Sequence, residues 1–373
     1  MALGKVQVNN LNLSQGEQTE VERYFLFVGR GDVHTGSVQT LTVDTDLDAV
    51  LGSAESLLRT QIEAARNNAG ENWSACVLPL ADGDAWADAV DEAMRQVSVE
   101  AVVVTDPVGA STDLEDMQTK AVQILAAFMR PIFFMATTRA LDVANETWAD
   151  FQAAIKLLTK DVAAENVMIV PALWGPELGT LAGRLCNRAV TVADTPKRVN
   201  TGALVGEWSV KPADKDGRKL DLSILEDLDN ARFSAPQWYP DYQGVYWGDG
   251  NTLDVNAGDY QVIENLRVVQ KAMRRVYTLA VARIGDRRLN STPASIAQNQ
   301  TYFMRPLRKM SHSTTILGQT FPGEIEPPRE GDIAISWPTK YSVEIYMTVR
   351  PYNCPKAITC NILLDLTNYA TED

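Results

Sequence analysis

The sequence predicts an α/β fold, α+β when the whole chain is counted. Three observations carry the prediction. Up to about residue 177, short apolar runs alternate with amphipathic stretches and short polar links, the pattern of a mostly parallel sheet flanked by helices. Beyond that point the alternation gives way to loops and one long amphipathic helix. The last 33 residues then hold two period-2 runs, the mark of strands covered on one face.

Each element has its own warrant. Residues 21–28 read as a buried strand ending at Gly29, and 37–43 as extended chain. Residues 49–68 read as one helix, with Leu51, Leu57, Leu58, Ile62 and Ala65 at spacings that return to one face. Residues 73–78 form the next strand, halted by Pro79; 84–97 form a helix with Trp86, Val90 and Met94 on one side. A strand over 99–104 leads to a helix over 113–128, where Asp113, Glu115 and Asp116 suit the positive end of the dipole. A strand at 131–135, a helix at 147–159 and a strand at 167–170, closed by Pro171, complete the alternating part.

A short helix follows at 178–188, then strands at 201–205 and 244–247. Val262, Leu266, Val269, Met273, Val276, Tyr277, Ala280 and Ile284 define the long helix, with Arg267, Lys271, Arg274 and Arg275 on its opposite face. Pro293, Pro306, Pro322, Pro327 and Pro328 read as breaks. In the first terminal run Val343, Ile345, Met347 and Val349 share a face; in the second Ile358, Cys360, Ile362 and Leu364 do. Val6 and Val8 alternate with polar residues at the other end, with Leu11 and Leu13 after them. A strand at the edge of a chain needs a partner. These twelve side chains are therefore read as arms exchanged between neighbouring copies.

Charge is unevenly distributed. The net charge is −14, and residues 1–118, with 20 acidic and 6 basic side chains, account for all of it. The stretch 260–312 is basic, adding Arg283, Arg287, Arg288, Arg305, Arg308 and Lys309 to the four on the helix. Such polarity suits head-to-tail self-association or an acidic partner, and an acidic chain is a poor match for nucleic acid. No apolar run reaches the roughly 18 residues of a membrane helix, and the first residues lack a signal-peptide pattern. The expectation is a soluble protein without membrane insertion. Cys76, Cys186, Cys354 and Cys360 are scattered and read as buried free thiols.

Chemistry has few footholds. Gly29-Arg-Gly31-Asp-Val-His34-Thr-Gly36 follows a strand, where a phosphate loop would sit. Its spacing is not that of a dinucleotide or P-loop motif, and extended chain rather than a helix follows. A nucleotide-binding protein or enzyme using this loop is the alternative reading. His34 and His312 are the only histidines, neither placed for a triad or a metal site. Asp44, Asp46 and Asp48 read as a solvated turn and helix cap. No cofactor, metal or catalytic residue is expected.

Several segments in order match a known pattern: Phe25-Leu-Phe-Val-Gly29; Leu181-Ala-Gly-Arg184 with Asp194-Thr-Pro196 and Thr201-Gly202; Trp247-Gly-Asp-Gly-Asn-Thr252; Asn265-Leu-Arg267; and Val349-Arg-Pro351 with Pro355-Lys-Ala-Ile358. With these the chain resembles the contractile tail sheath proteins of bacteriophages and the related sheaths of R-type pyocins. Asp249-Gly-Asn251 stands where the family carries an arginine, and Asn265-Leu-Arg267-Val has one arginine where two are common.

The resemblance implies a helical sheath of many copies around a tail tube, contracting to drive the tube through a host envelope. It implies an N-terminal arm (1–20), an outward-facing α/β part (21–255), an inner α+β part (256–355) and a C-terminal arm (356–373). The inner part would combine the N-terminal arm with the C-terminal third. Arg267, Lys271, Arg274, Arg275, Arg305, Arg308 and Lys309 become candidates for facing an acidic tube. Partners would be further copies, the tube protein, and baseplate and tail terminator at the ends. Assembly would occur in the host cytoplasm, with the product part of the virion.

Overall fold

The computed structural model describes residues 21–364. Its centre is a six-stranded sheet of β1 (Phe25–Arg30), β2 (Gln39–Thr42), β3 (Ser74–Leu80), β4 (Ala101–Pro107), β5 (Phe133–Ala140) and β6 (Val167–Ala172). The order is β2-β3-β1-β4-β5-β6. All neighbours run parallel except β2, antiparallel to β3. Setting β2 aside, this is a doubly wound sheet whose order reverses between β1 and β4, the place where such folds open a crevice.

The strands read as continuous apolar runs because both faces are covered. Alternate side chains enter two cores. Leu26, Val28, Leu78, Val102, Val104 and Phe134 pack on one face, against α3 (Trp86–Gln96), α4 (Ser111–Phe128), α5 (Trp148–Thr159) and α7 (Leu222–Asn230). Phe25, Phe27, Val77, Val103, Phe133 and Met135 pack on the other, against α1 (Leu47–Leu51), α2 (Leu57–Ala69) and α6 (Glu177–Cys186).

The predicted helix over 49–68 is two helices. Gly52, at φ +84°, ends α1, and Ser56 Oγ accepts from Arg59 N to start α2. Asp46 caps α1 as expected, accepting from Asp48 N at 3.0 Å. Pro79 and Pro171 lie inside strands rather than ending them. The carbonyl of Pro79 points to Gly36 N, on the side where pairing with β2 has already stopped, and β6 is an edge strand. Neither missing N–H interrupts a ladder there.

The predicted strand at 201–205 is a short 3₁₀ turn, Val199–Thr201, and loop. Of 244–247 only β8 (Tyr246–Trp247) is strand, paired with β7 (Pro236–Gln237). The long helix is α8 (Ile263–Val281). A second helix of equal length, α9 (Pro293–Ser311), occupies the stretch read as proline-broken. Pro293 sits in its first turn, where no hydrogen bond is lost. Pro306 is interior, and the burial of Phe303, Leu307 and Met310 around it outweighs the local cost of about 3 kcal/mol.

The chain closes with two hairpins, β9 (Thr314–Ile316) with β10 (Gln319–Phe321), and β11 (Ile333–Thr339) with β12 (Ser342–Met347). Val268, Ala272, Phe303, Leu307, Ile325 and Ile333 form a third core beneath the second of these. Two thiols, Cys76 and Cys186, are buried as expected; Cys354 and Cys360 are exposed and free. Among the described residues no helix is long and apolar enough to cross a membrane.

Candidate assembly surfaces

The basic face of α8 is mostly not a surface. Arg267 is buried, its Nε and Nη2 donating to the carboxylate of Glu100 at 2.8 and 2.9 Å and Nη2 also to Leu185 O at 3.0 Å. Burial alone would push the Glu100 carboxyl up. The Arg267 guanidinium overrides it and holds the group below its usual range. Lys271 is buried against Glu324 at 2.6 Å, and Arg274 beside Glu22 at 4.0 Å. These three candidates for tube contact are corrected: they fasten α8 to the body. The 3.6-residue period locates them opposite the apolar stripe but does not reveal that α8 is covered on both sides. Arg275 is half-buried, and Arg305, Arg308 and Lys309 stand exposed on α9.

The strand-exchange candidates divide three ways. Val6, Val8, Leu11 and Leu13 lie outside the described residues. Val343, Ile345, Met347 and Val349 are partly buried, the last three packing on the third core, and β12 pairs with β11 of the same chain, Ile345 opposite Ile335. Their strand already has one partner at home, because a tight turn at Lys340 lets it fold back. Among the described residues the hairpin is two-stranded, which leaves each strand one open edge. Among the described residues Ile358, Cys360, Ile362 and Leu364 join no ladder, and they are exposed; Ile362 is 93% accessible.

The quoted motifs meet in space. The buried Arg184 guanidinium donates to Pro196 O at 2.6 Å, Arg198 O at 2.8 Å and Gly202 O at 3.0 Å. Burial depresses its pKa to about 10. One side chain thus organises the loop that follows α6. Gly179 and Gly183 let α6 lie against α2: a Cβ at Gly179 would stand 1.9 Å from Gln61 O, and one at Gly183 2.3 Å from Ala65 O. Asp249, which departs from the family pattern, receives the Lys356 ammonium at 2.6 Å. Lys356 also reaches Glu264 Oε1 at 2.5 Å and Thr195 Oγ1 at 2.9 Å. Sequence reasoning missed this cluster; its one signal was a lone cation, Lys356, set between Pro355 and an apolar run.

The alternative site fares differently. At the sheet's reversal point Arg30 Nε pairs with Asp106 at 3.3 Å. Asp113 turns back on the start of α4, accepting from Gly109 N at 2.7 Å and Ala110 N at 3.1 Å. A phosphate would want those same donors. After β1 the chain passes to the edge strand β2, so no helix begins at the glycine loop. Gly29 is explained by packing: a Cβ there would stand 1.9 Å from Thr105 Oγ1. Among the described residues no three His, Cys, Asp or Glu side chains gather as a metal ion would need.

The same overall fold occurs in known proteins. The chain is similar to the sheath of the PVC extracellular contractile injection system in its contracted state, with a TM-score of 0.64 and 12% identity over 98% of this chain and 97% of that one. It is similar to the sheath tail protein of Desulfitobacterium hafniense, with a TM-score of 0.55 and 10% identity over 93% and 96%. It is 47% identical over 367 residues, 97% of its length and 98% of the relative's, to a chain named as a tail sheath protein of Haemophilus phage HP1 (strain HP1c1). The class is that of tail sheath proteins, and the role that of a structural sheath subunit. The chain belongs to the DUF2586 family, whose N-terminal domain matches residues 3–251 and whose C-terminal domain matches residues 259–367.

Proposed function

We propose that copies of this chain assemble in the host cytoplasm into a helical sheath around a tail tube, joined by exchange of their terminal segments. Contraction of that sheath drives the tube through the host envelope. The observation that carries this reading is that, among the described residues, a two-stranded hairpin with open edges and an exposed, alternately apolar run at 358–364 occur in one chain. A neighbour's strand added to the β11–β12 sheet satisfies backbone groups on both sides. About five such main-chain bonds, at roughly 1 kcal/mol net each, hold a neighbour while its chain bends beside the contact.

In this arrangement the 1–20 and 356–373 arms link subunits, the 256–355 part faces the tube and the 21–255 part faces outward. Arg275, Arg305, Arg308 and Lys309 supply screened, releasable contacts to an acidic tube. Baseplate and terminator proteins bound the two ends. The protein acts without chemistry of its own and needs no nucleotide, because the stored energy lies in the lattice.

Electron microscopy of the purified chain tests the reading. Hollow striated cylinders are expected, and a chain lacking residues 357–373 should stay folded and soluble without forming them. Cylinders of normal length from the shortened chain would refute exchange of the C-terminal arm.

A further inference from the structure

The C-terminal run leaves the body through a stretch fastened at both ends. Upstream, the Arg350 guanidinium holds Asp332 through two hydrogen bonds at 2.6 and 2.7 Å, Glu326 N donates to Arg350 O at 2.8 Å, and Pro351 bridges Ile325. Downstream, the Lys356 ammonium sits in a socket of Asp249, Glu264 and Thr195. The three socket residues come from three places: the loop organised by Arg184, the chain just after β8, and the first turn of α8. Between the fastenings, residues 352–356 arch over a cavity of about 810 Å³ lined by Thr191, Lys197, Arg198 and Tyr239. Beyond Lys356 the described run is exposed: Ile358 is already 76% accessible and Ile362 93%.

The socket is built for a cation. Both carboxylates are nearly buried, at 12% and 7% side-chain accessibility, and both converge on one nitrogen. Glu264 Oε2 has no hydrogen-bond partner at all among the described residues. Withdrawing the ammonium leaves two like charges close together with little water, a state that costs far more than opening a surface ion pair. The prolines at 351 and 355, which by sequence alone suit a bend, are therefore not where the chain swings.

We propose that Lys356 is a latch that fixes the root of the C-terminal segment to the body, so that the segment pivots at Ala357 and beyond. Lys356 is a positioning residue: it sets the direction in which the exchanged run departs. The latch rests on geometry within one subunit. That it stays shut while the lattice rearranges rests on the sheath reading above.

Two measurements on the full chain test the latch. With an amine-reactive acetylating reagent, Lys340, exposed at the hairpin turn, should react while Lys356 is spared. Trypsin must draw the lysine side chain out of its socket to cut after it. The pair Asp249→Asn with Glu264→Gln should therefore speed cleavage between Lys356 and Ala357 by about tenfold or more relative to cleavage after Lys340, the factor expected for a lost charge-assisted hydrogen bond. If that variant does not fold, acetylation of the unaltered chain decides by itself. Modification of Lys356 as fast as Lys340 would overturn the latch, whether or not cylinders form. In cylinders examined before and after contraction Lys356 should stay protected in both. Reactivity gained on contraction would remove the pivot at Ala357 and leave the sheath reading standing.

Discussion

Arg267 and Glu100, 167 positions apart, meet as a two-pronged ion pair that is almost wholly buried. Glu100 stands at the entry to β4 and Arg267 in the second turn of α8, so this pair joins the sheet to the helix that leads into the C-terminal unit. Arg23 N adds a third donor to the same carboxylate at 2.6 Å.

Removing one partner strands the other without water. Arg267→Met or Glu100→Gln should each destabilise the subunit by about 3–5 kcal/mol. Replacing both by apolar residues should recover much of that. Urea unfolding midpoints of the three variants check this, and a double variant no better than the singles would contradict it.

The α2–α6 contact predicts a cost of another kind. Gly179→Ala forces a methyl group into Gln61 O, a backbone atom that cannot step aside. A loss of about 1–3 kcal/mol or more is expected, read as a lowered Tm. Gln61 itself grips α6, donating to Gly175 O and accepting from Gly179 N, each at 2.6 Å. Gln61→Ala should weaken the same seam.

Glu177 predicts a pH dependence. It is buried, and burial pushes its carboxyl up to about 7, although backbone N–H groups of Leu173, Trp174 and Gly175 donate to it. The unfolded chain titrates this group near 4.5. Between those values the folded state binds the extra proton, so this contribution is full below pH 4.5 and is lost as pH rises through about 7. The fall is about 3 kcal/mol at most. Glu177→Gln should flatten that part of the stability profile measured by denaturant titration at successive pH values.

Arg305, Arg308 and Lys309 are exposed, so reversing all three to Glu should leave folding within about 0.5 kcal/mol per site. Attachment to tail tubes should weaken, and its salt dependence should diminish. Co-sedimentation with isolated tubes at low and moderate salt measures both, and unchanged binding would remove these residues from the tube surface.

Much of the sheet was legible because its signal is local. A strand buried on both faces, such as Phe25-Leu-Phe-Val, announces itself in four residues, and the helices between strands carry their stripes in sequence. α9 was missed because Pro306 is a strong local veto that only distant packing, by Phe303 and Leu307 in the third core, overrules. The basic face of α8 misled for the same reason. Its period is visible in sequence, but the acids that meet it lie at positions 22, 100 and 324. The Lys356 socket draws on 195, 249 and 264 and has no signature at any one of them. By contrast the alternation at 343–349 was plain in sequence, and the fold adds that β12 pairs with β11 of the same chain.

α8 carries one further consequence. Its first half is clamped into the sheet's territory by Ile263, Leu266, Arg267 and Gln270, and its second half lies under the β11–β12 hairpin. A twisting load applied at the hairpins therefore runs down a stiff rod and is resisted at Glu100. In the proposed sheath each copy would therefore turn as a solid wedge, with any change of pitch taken up where neighbouring copies meet.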